Sequence, residues 1–234
     1  MNAGRVGGYA LRREVATVCR RLYERGLIAG GDGNVSVRLS SSSILVTPAG
    51  VSKVDVRPED LIELRLDGTK LRGAGRASTE VAMHLRIYER RSDVGAVVHA
   101  HPPTATGFAV AGEGFTDCVL PELVFQVGWV PLVPYGTPGT PDLADRFEPY
   151  MMQHDAFLMA NHGATTCGAT LTVAHQRMES LEHAARILFT ARALGRVNGL
   201  ARADVDALVS MRERAAPGAV FPGCPAPPGG RRME

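Results

Sequence analysis

Two hairpins in succession constrain the fold more than any other stretch of this chain. In "AGGDGNVSVRLSSSSILVTPAG", β-prone runs at 35–39 and 44–47 flank a serine turn and end in glycine-rich segments. "LIELRLDGTKLRG" then folds back at Asp67-Gly68, a turn pair suited to a tight hairpin. Ahead of them, Leu11, Val15, Val18 and Leu22 recur at helical spacing, with Gly26 as a stop, which predicts a helix over about 8–25. After them, Ser78 is a good N-cap for a helix to about 91, with Val81, Leu85 and Tyr88 facing the core. A strand at 95–99 follows, then short helices near 104–111 and 121–127 and a strand at 130–133. Thr140-Pro141 starts a helix to about 151, and the remainder reads as a buried strand at 156–160 and helices at 172–194 and 202–214. Such an order is not a regular βαβ alternation. It fits an α/β sandwich around a mainly antiparallel sheet.

At 234 residues the chain suits one domain, taken as 1–216, followed by a Pro/Gly-rich tail at 217–234 expected to lack regular structure. With 45% hydrophobic and 21% charged residues it has the balance of a soluble globular protein. A formal charge of +2, with basic residues scattered, argues against nucleic acid or an anionic membrane and leaves a small molecule as the expected partner. Cys19, Cys118, Cys167 and Cys224 form no CxxC pair, Arg5, Arg12, Arg13 and Glu14 interrupt any leading apolar segment, and no run approaches about 18 apolar residues. A cytoplasmic protein with free thiols is the expectation.

In "VVHAHPP" the alternation of a strand places His99 and His101 on one side with Ala100 opposite. A bare HxH pair more often holds one exposed and one hydrogen-bonded histidine than a metal, so a third ligand is what matters. His162, in "FLMANHGATTCG", also ends an apolar strand, and Gly163 after it permits a sharp turn. His84, His175 and His183 fall in predicted helices, and His183 lies four residues after Glu179, which suits a surface pair. Glu80 opens the helix before the histidine strand. A carboxylate there favours the helix dipole, and its position would also bring it near a metal as a proton carrier. "GGDGN" (30–34), "TPAG" (47–50) and "AST" (77–79) expose backbone N–H groups near turns; each alone is ordinary turn chemistry, but together they suit a phosphate.

Taken in order, "GDGNVSVR", "VTPAG", "STE", "VVHAHPP", "VPLVPYGTPGT" and "NHGATTCG" resemble the class II aldolase/adducin family over about residues 10–195. The resemblance implies a three-layer α/β/α sandwich. It implies one Zn²⁺ per subunit on His99, His101 and His162, Glu80 as acid/base, a substrate phosphate on Gly33, Asn34, Gly50, Ser78 and Thr79, and a C4 homotetramer with the site at a subunit boundary. The activity implied is retro-aldol cleavage of a phosphorylated ketose such as L-fuculose 1-phosphate to dihydroxyacetone phosphate and a small aldehyde. Epimerisation of L-ribulose 5-phosphate, a dehydratase or decarboxylase reaction, and a non-catalytic adducin-like scaffold are the alternatives. Two departures matter. Ala49-Gly50 replaces the family's Ser-Gly and loses a hydroxyl donor, and "VLPELVF" (119–125) lacks the tyrosine that serves as a second acid; Glu122 stands there and Tyr135 lies downstream.

Overall fold

The computed structural model describes residues 3–216; the tail assigned to 217–234, with Cys224, lies outside the described residues. In chain order the elements are α1 (Ala3–Glu24), β1 (Asn34–Arg38), β2 (Ser43–Val46), β3 (Ile62–Arg65), β4 (Lys70–Arg72), α2 (Val81–Arg90), β5 (Ala96–Ala100), α3 (Pro103–Val110), α4 (Pro121–Gln126), β6 (Leu132–Val133), α5 (Pro141–Phe147), β7 (Ala156–Met159), β8 (Gly163–Gly168), α6 (Leu171–Ala193) and α7 (Arg202–Ala215). The strands form one sheet in the order β4-β3-β2-β1-β5-β8-β7-β6, antiparallel throughout except for the β6/β7 pair.

β5 shows why the sheet is covered on both faces: all five of its residues are buried, so neither side of the pleat meets water. Ala96, Val98 and Ala100 join Val15, Cys19 and Leu22 of α1, Phe108 of α3 and Met178, Leu181 and Ala185 of α6 in one core. Val97 turns the other way, into a second core with Met83, Ile87 and Tyr88 of α2 and Leu143 and Phe147 of α5. Each of these larger apolar side chains contributes about 1.5–3 kcal/mol by leaving water. The result is a three-layer α/β/α sandwich.

Several boundaries differ from expectation. α2 begins at Val81 with Glu80, not Ser78, at its N-cap, because Ala77 bridges to Pro48 and the Ser78 amide donates to the Thr47 carbonyl at 3.2 Å. Those bonds hold 77–78 against the segment that follows β2. β8 has no counterpart among the predicted strands: "GATTCG" lacks an apolar alternation, yet it lies between β5 and β7 and is buried throughout. The expected strand at 130–133 shortens to Leu132–Val133, with Val130 bridging to Phe115. The helix expected to reach 151 ends at Phe147. Cys19 and Cys167 are buried free thiols. Among the described residues no helix is long and apolar enough to cross a membrane.

Candidate metal centre

His99 shares the face of β5 that α2 covers. A ten-residue helix is about 15 Å long, close to the reach of a five-residue strand at about 3.3 Å per residue. Running α2 back along β5 therefore sets the N-cap of the helix beside the end of the strand. Glu80 Oε2 lies 3.2 Å from His99 Nε2, and Glu80 Oε1 lies 2.9 Å from His162 Nε2. His101, just past the strand, puts its Nε2 3.1 Å from that of His99. The three rings stand edge to face with centroids 4.9–5.1 Å apart, and one nitrogen from each lies within 4.8 Å of the others.

His162 arrives by a tight β7–β8 hairpin in which Asn161, not Gly163, takes the left-handed conformation at φ 56°. Gly163 is needed for another reason: a Cβ there would stand 2.5 Å from His101 Cδ2 and 2.6 Å from the Ala100 carbonyl oxygen. Gly33 plays a similar part across the site, with φ 70° and no room for a Cβ against the His99 carbonyl, 2.8 Å away.

The donor set fits a divalent cation. His99 Nδ1–H donates to the Ala164 carbonyl at 2.9 Å, which fixes the ring with Nε2, the atom that would meet a metal, turned to the cluster. His101 Nδ1 lies 3.5 Å from Asp32 Oδ2, a carboxylate behind a prospective ligand. Ligand nitrogens of a tetrahedral Zn²⁺, with bonds of about 2.0–2.1 Å, sit roughly 3.3 Å apart, close to the His99–His101 separation. Burial, then the neighbouring His99 and His162, push the His101 pKa down to about 4. It therefore offers a neutral ring at ordinary pH. Burial alone would lift the Glu80 carboxyl, but hydrogen bonds with His162 and His99 outweigh it and hold that group well below the usual carboxylate range.

The expected phosphate residues separate into two groups. Gly50 and Thr79 lie in turns and are exposed, whereas Gly33, just before β1, is buried and Ser78, in the segment before α2, is half-buried. The Gly50 amide, with φ 72° at its residue, and the Thr79 amide donate to no backbone carbonyl among the described residues. The amides of Ala49 and Ser78 are consumed, by the Arg76 and Thr47 carbonyls. Asn34, the remaining one, is buried, and its Nδ2 donates to Glu80 Oε2 at 2.9 Å, so it holds the carboxylate. Its Oδ1 is buried without a partner. Asn34 pairs with His99 across β1 and β5, and that register is what the sequence alone did not supply.

The remaining histidines are elsewhere. His84 Nδ1 meets Ser36 Oγ at 2.7 Å in the core, and His154 Nδ1 donates to the Trp129 carbonyl at 3.1 Å. Glu179 faces Arg25 at 3.1 Å and His175 at 3.6 Å, not His183 as the spacing suggested. Glu122 lies exposed in the first turn of α4, and Tyr135 is 53% exposed.

Relatives share both the sequence and the fold. A protein of Haemophilus influenzae named 3-oxo-tetronate 4-phosphate decarboxylase is 36% identical over 179 residues, covering 73% of this chain and 83% of that one. An L-fuculose phosphate aldolase of Methanococcus maripaludis is 32% identical, covering 74% and 93%. The crystal structure of YgbL from Escherichia coli superposes with a TM-score of 0.79 at 30% identity, covering 88% of this chain and 99% of that one. Residues 13–189 match the family described as the class II aldolase and adducin N-terminal domain, and the chain belongs to that family.

Proposed function

We propose that this chain is a divalent-metal-dependent carbon–carbon lyase that decarboxylates a phosphorylated 3-oxo acid of the 3-oxo-tetronate 4-phosphate type to dihydroxyacetone phosphate and carbon dioxide. The observation that carries this reading is the convergence of three imidazole nitrogens and one buried carboxylate on a single point. Breaking a bond to the carbon beside a carbonyl leaves an electron pair there, which is prohibitive unless it is delocalised and stabilised. A Zn²⁺ held by His99, His101 and His162 would supply Lewis-acid polarisation of the carbonyl and adjacent hydroxyl oxygens.

Glu80 does the proton work. As the C1–C2 bond breaks, its electrons move toward the carbonyl, and the ionised Glu80 carboxylate takes a proton from water and passes it to C2, the hydroxide left behind combining with the carbon dioxide as bicarbonate. Asn34 holds the carboxylate in place for that transfer. The turns at Gly33, Gly50, Ser78 and Thr79 bind the phosphate, fixing C2 relative to Glu80. Two observations favour decarboxylation over retro-aldol cleavage. Carbon dioxide departs without needing a proton, so the missing tyrosine at 119–125 removes nothing the reaction requires. Relatives named 3-oxo-tetronate 4-phosphate decarboxylase reach 36%, 34% and 33% identity.

Retro-aldol cleavage of a phosphorylated ketose such as L-fuculose 1-phosphate is the second reading, supported by the aldolase relative at 32% identity. Both reactions release dihydroxyacetone phosphate, and the co-product separates them. Zn²⁺-loaded protein is expected to release carbon dioxide from 3-oxo-tetronate 4-phosphate; aldehyde release from L-fuculose 1-phosphate, with no carbon dioxide from the oxo acid, would replace the first reading by the second. A C4 homotetramer with the site at a subunit boundary belongs to the same proposal. So does a cytoplasmic location.

A further inference from the structure

Lys53 takes no part in the chemistry above, yet its setting is unusual. The chain has two lysines, Lys53 and Lys70, among 26 basic residues. Lys70 is exposed and reaches the Gly75 carbonyl. Lys53 is 2% exposed, and its Nζ donates to the Gly31 carbonyl at 2.8 Å and the Val51 carbonyl at 3.1 Å. Gly31 belongs to the first glycine turn and Val51 follows the second, so one ammonium ties together the turns that carry Gly33 and Gly50.

Among the described residues that charge has no dedicated counter-ion. The carboxylates of Asp32 and Glu80 act on it electrostatically, but they pair with His101 and with His99 and His162. Cys19, which also acts on it, is no substitute, since burial pushes its thiol up to about 12 and keeps it neutral. Burial draws the ammonium below the usual lysine range. A buried charge without a partner is costly, and an anion arriving beside it removes the cost. An ammonium has three protons, of which the two carbonyls take two.

We propose that Lys53 is a positioning residue for the substrate phosphate: it locks the 30–34 and 47–50 turns into one cradle and supplies the positive charge the phosphate neutralises. A buried cation thereby makes good the hydroxyl donor absent at Ala49. This rests on the phosphorylated-substrate reading above.

The test is calorimetric titration of inorganic phosphate into Zn²⁺-loaded full-length protein and its Lys53→Met variant. Wild type is expected to bind phosphate, and Lys53→Met to bind it about tenfold or more weakly with the same zinc content. For a phosphorylated substrate the variant's KM rises while kcat changes far less, a split that a general loosening of the fold would not give. Equal phosphate affinity in the variant overturns the role of Lys53 and leaves the phosphorylated-substrate reading standing; no phosphate binding by wild type overturns both. Should Lys53→Met not fold, ¹⁵N-lysine spectra of wild type give the answer. Phosphate should shift the Lys53 ammonium signal and spare that of Lys70, and an unmoved Lys53 signal overturns the proposal.

Discussion

Replacing Gly163 by alanine perturbs the histidine cluster without removing a ligand. The added Cβ would lie 2.5 Å from His101 Cδ2, roughly 0.9 Å short of ordinary contact, and 2.6 Å from the Ala100 carbonyl oxygen. Ala100 is pinned in β5 by its pairing with Ala164, so the His101 ring and the first residue of β8 must yield. Overpacking of this kind costs about 1–3 kcal/mol, and displacing the surroundings of a ligand lowers metal affinity by about 10–100-fold. Urea unfolding and chelator competition for Zn²⁺ measure the two effects on wild type, Gly163→Ala, His101→Ala and the double variant. In the His101→Ala background the part of the stability cost that comes from the ring should vanish, leaving the part from the Ala100 carbonyl, so the two changes should be non-additive by about 0.5 kcal/mol or more. Wild-type zinc affinity and stability in Gly163→Ala would refute this reasoning.

Glu80→Gln should keep its zinc, measured by metal analysis, and lose turnover by about 10²–10⁴-fold; full activity would remove Glu80 from the proton path. Burial, then His99, depresses the His84 pKa to about 3 from an unfolded value of 6.5. In that window the unfolded chain binds a proton that the folded one does not. Stability should therefore fall as pH drops from about 6.5 towards 3, by up to about 1.4 kcal/mol per pH unit for this group. His154 and His175, also lowered chiefly by burial, act in the same direction. Urea midpoints that stay level between about pH 7 and pH 4.5 would contradict the neutral, buried state of these rings. Asp155 sits 2.7 Å from both Arg91 and Arg177, with 5% of its side chain exposed. Asp155→Ala leaves Arg91 with Asp93 as its remaining carboxylate and strips the largely buried Arg177 of its carboxylate partner, and should cost about 3–5 kcal/mol in a denaturant series.

Local pattern carried much of the fold and most of the site. Alternation in "VVHAH" put His99 and His101 on one side, and the apolar run before "NHG" placed His162 at a strand end, because both depend on periods the backbone imposes. What escaped depends on partners distant in sequence. β8 is built from Gly, Ala, Thr and Cys and is a strand because β5 and β7 pair with it from either side. Ser78 has the chemistry of an N-cap, but bonds to the 47–48 segment hold it there and pass the role to Glu80. Asn34 belongs to the Glu80 carboxylate through the β1/β5 register, and Lys53 gains meaning only once the glycine turns on either side of it are joined.

The claim that this centre is a metal-dependent lyase site is tested most directly by returning Zn²⁺ to chelated protein while following dihydroxyacetone phosphate release from 3-oxo-tetronate 4-phosphate. Activity should be absent at the start, rise in proportion to the metal added and level off at about one ion per chain. A full rate in the chelated protein, or one zinc bound per chain with no product from this acid or from L-fuculose 1-phosphate, would contradict it.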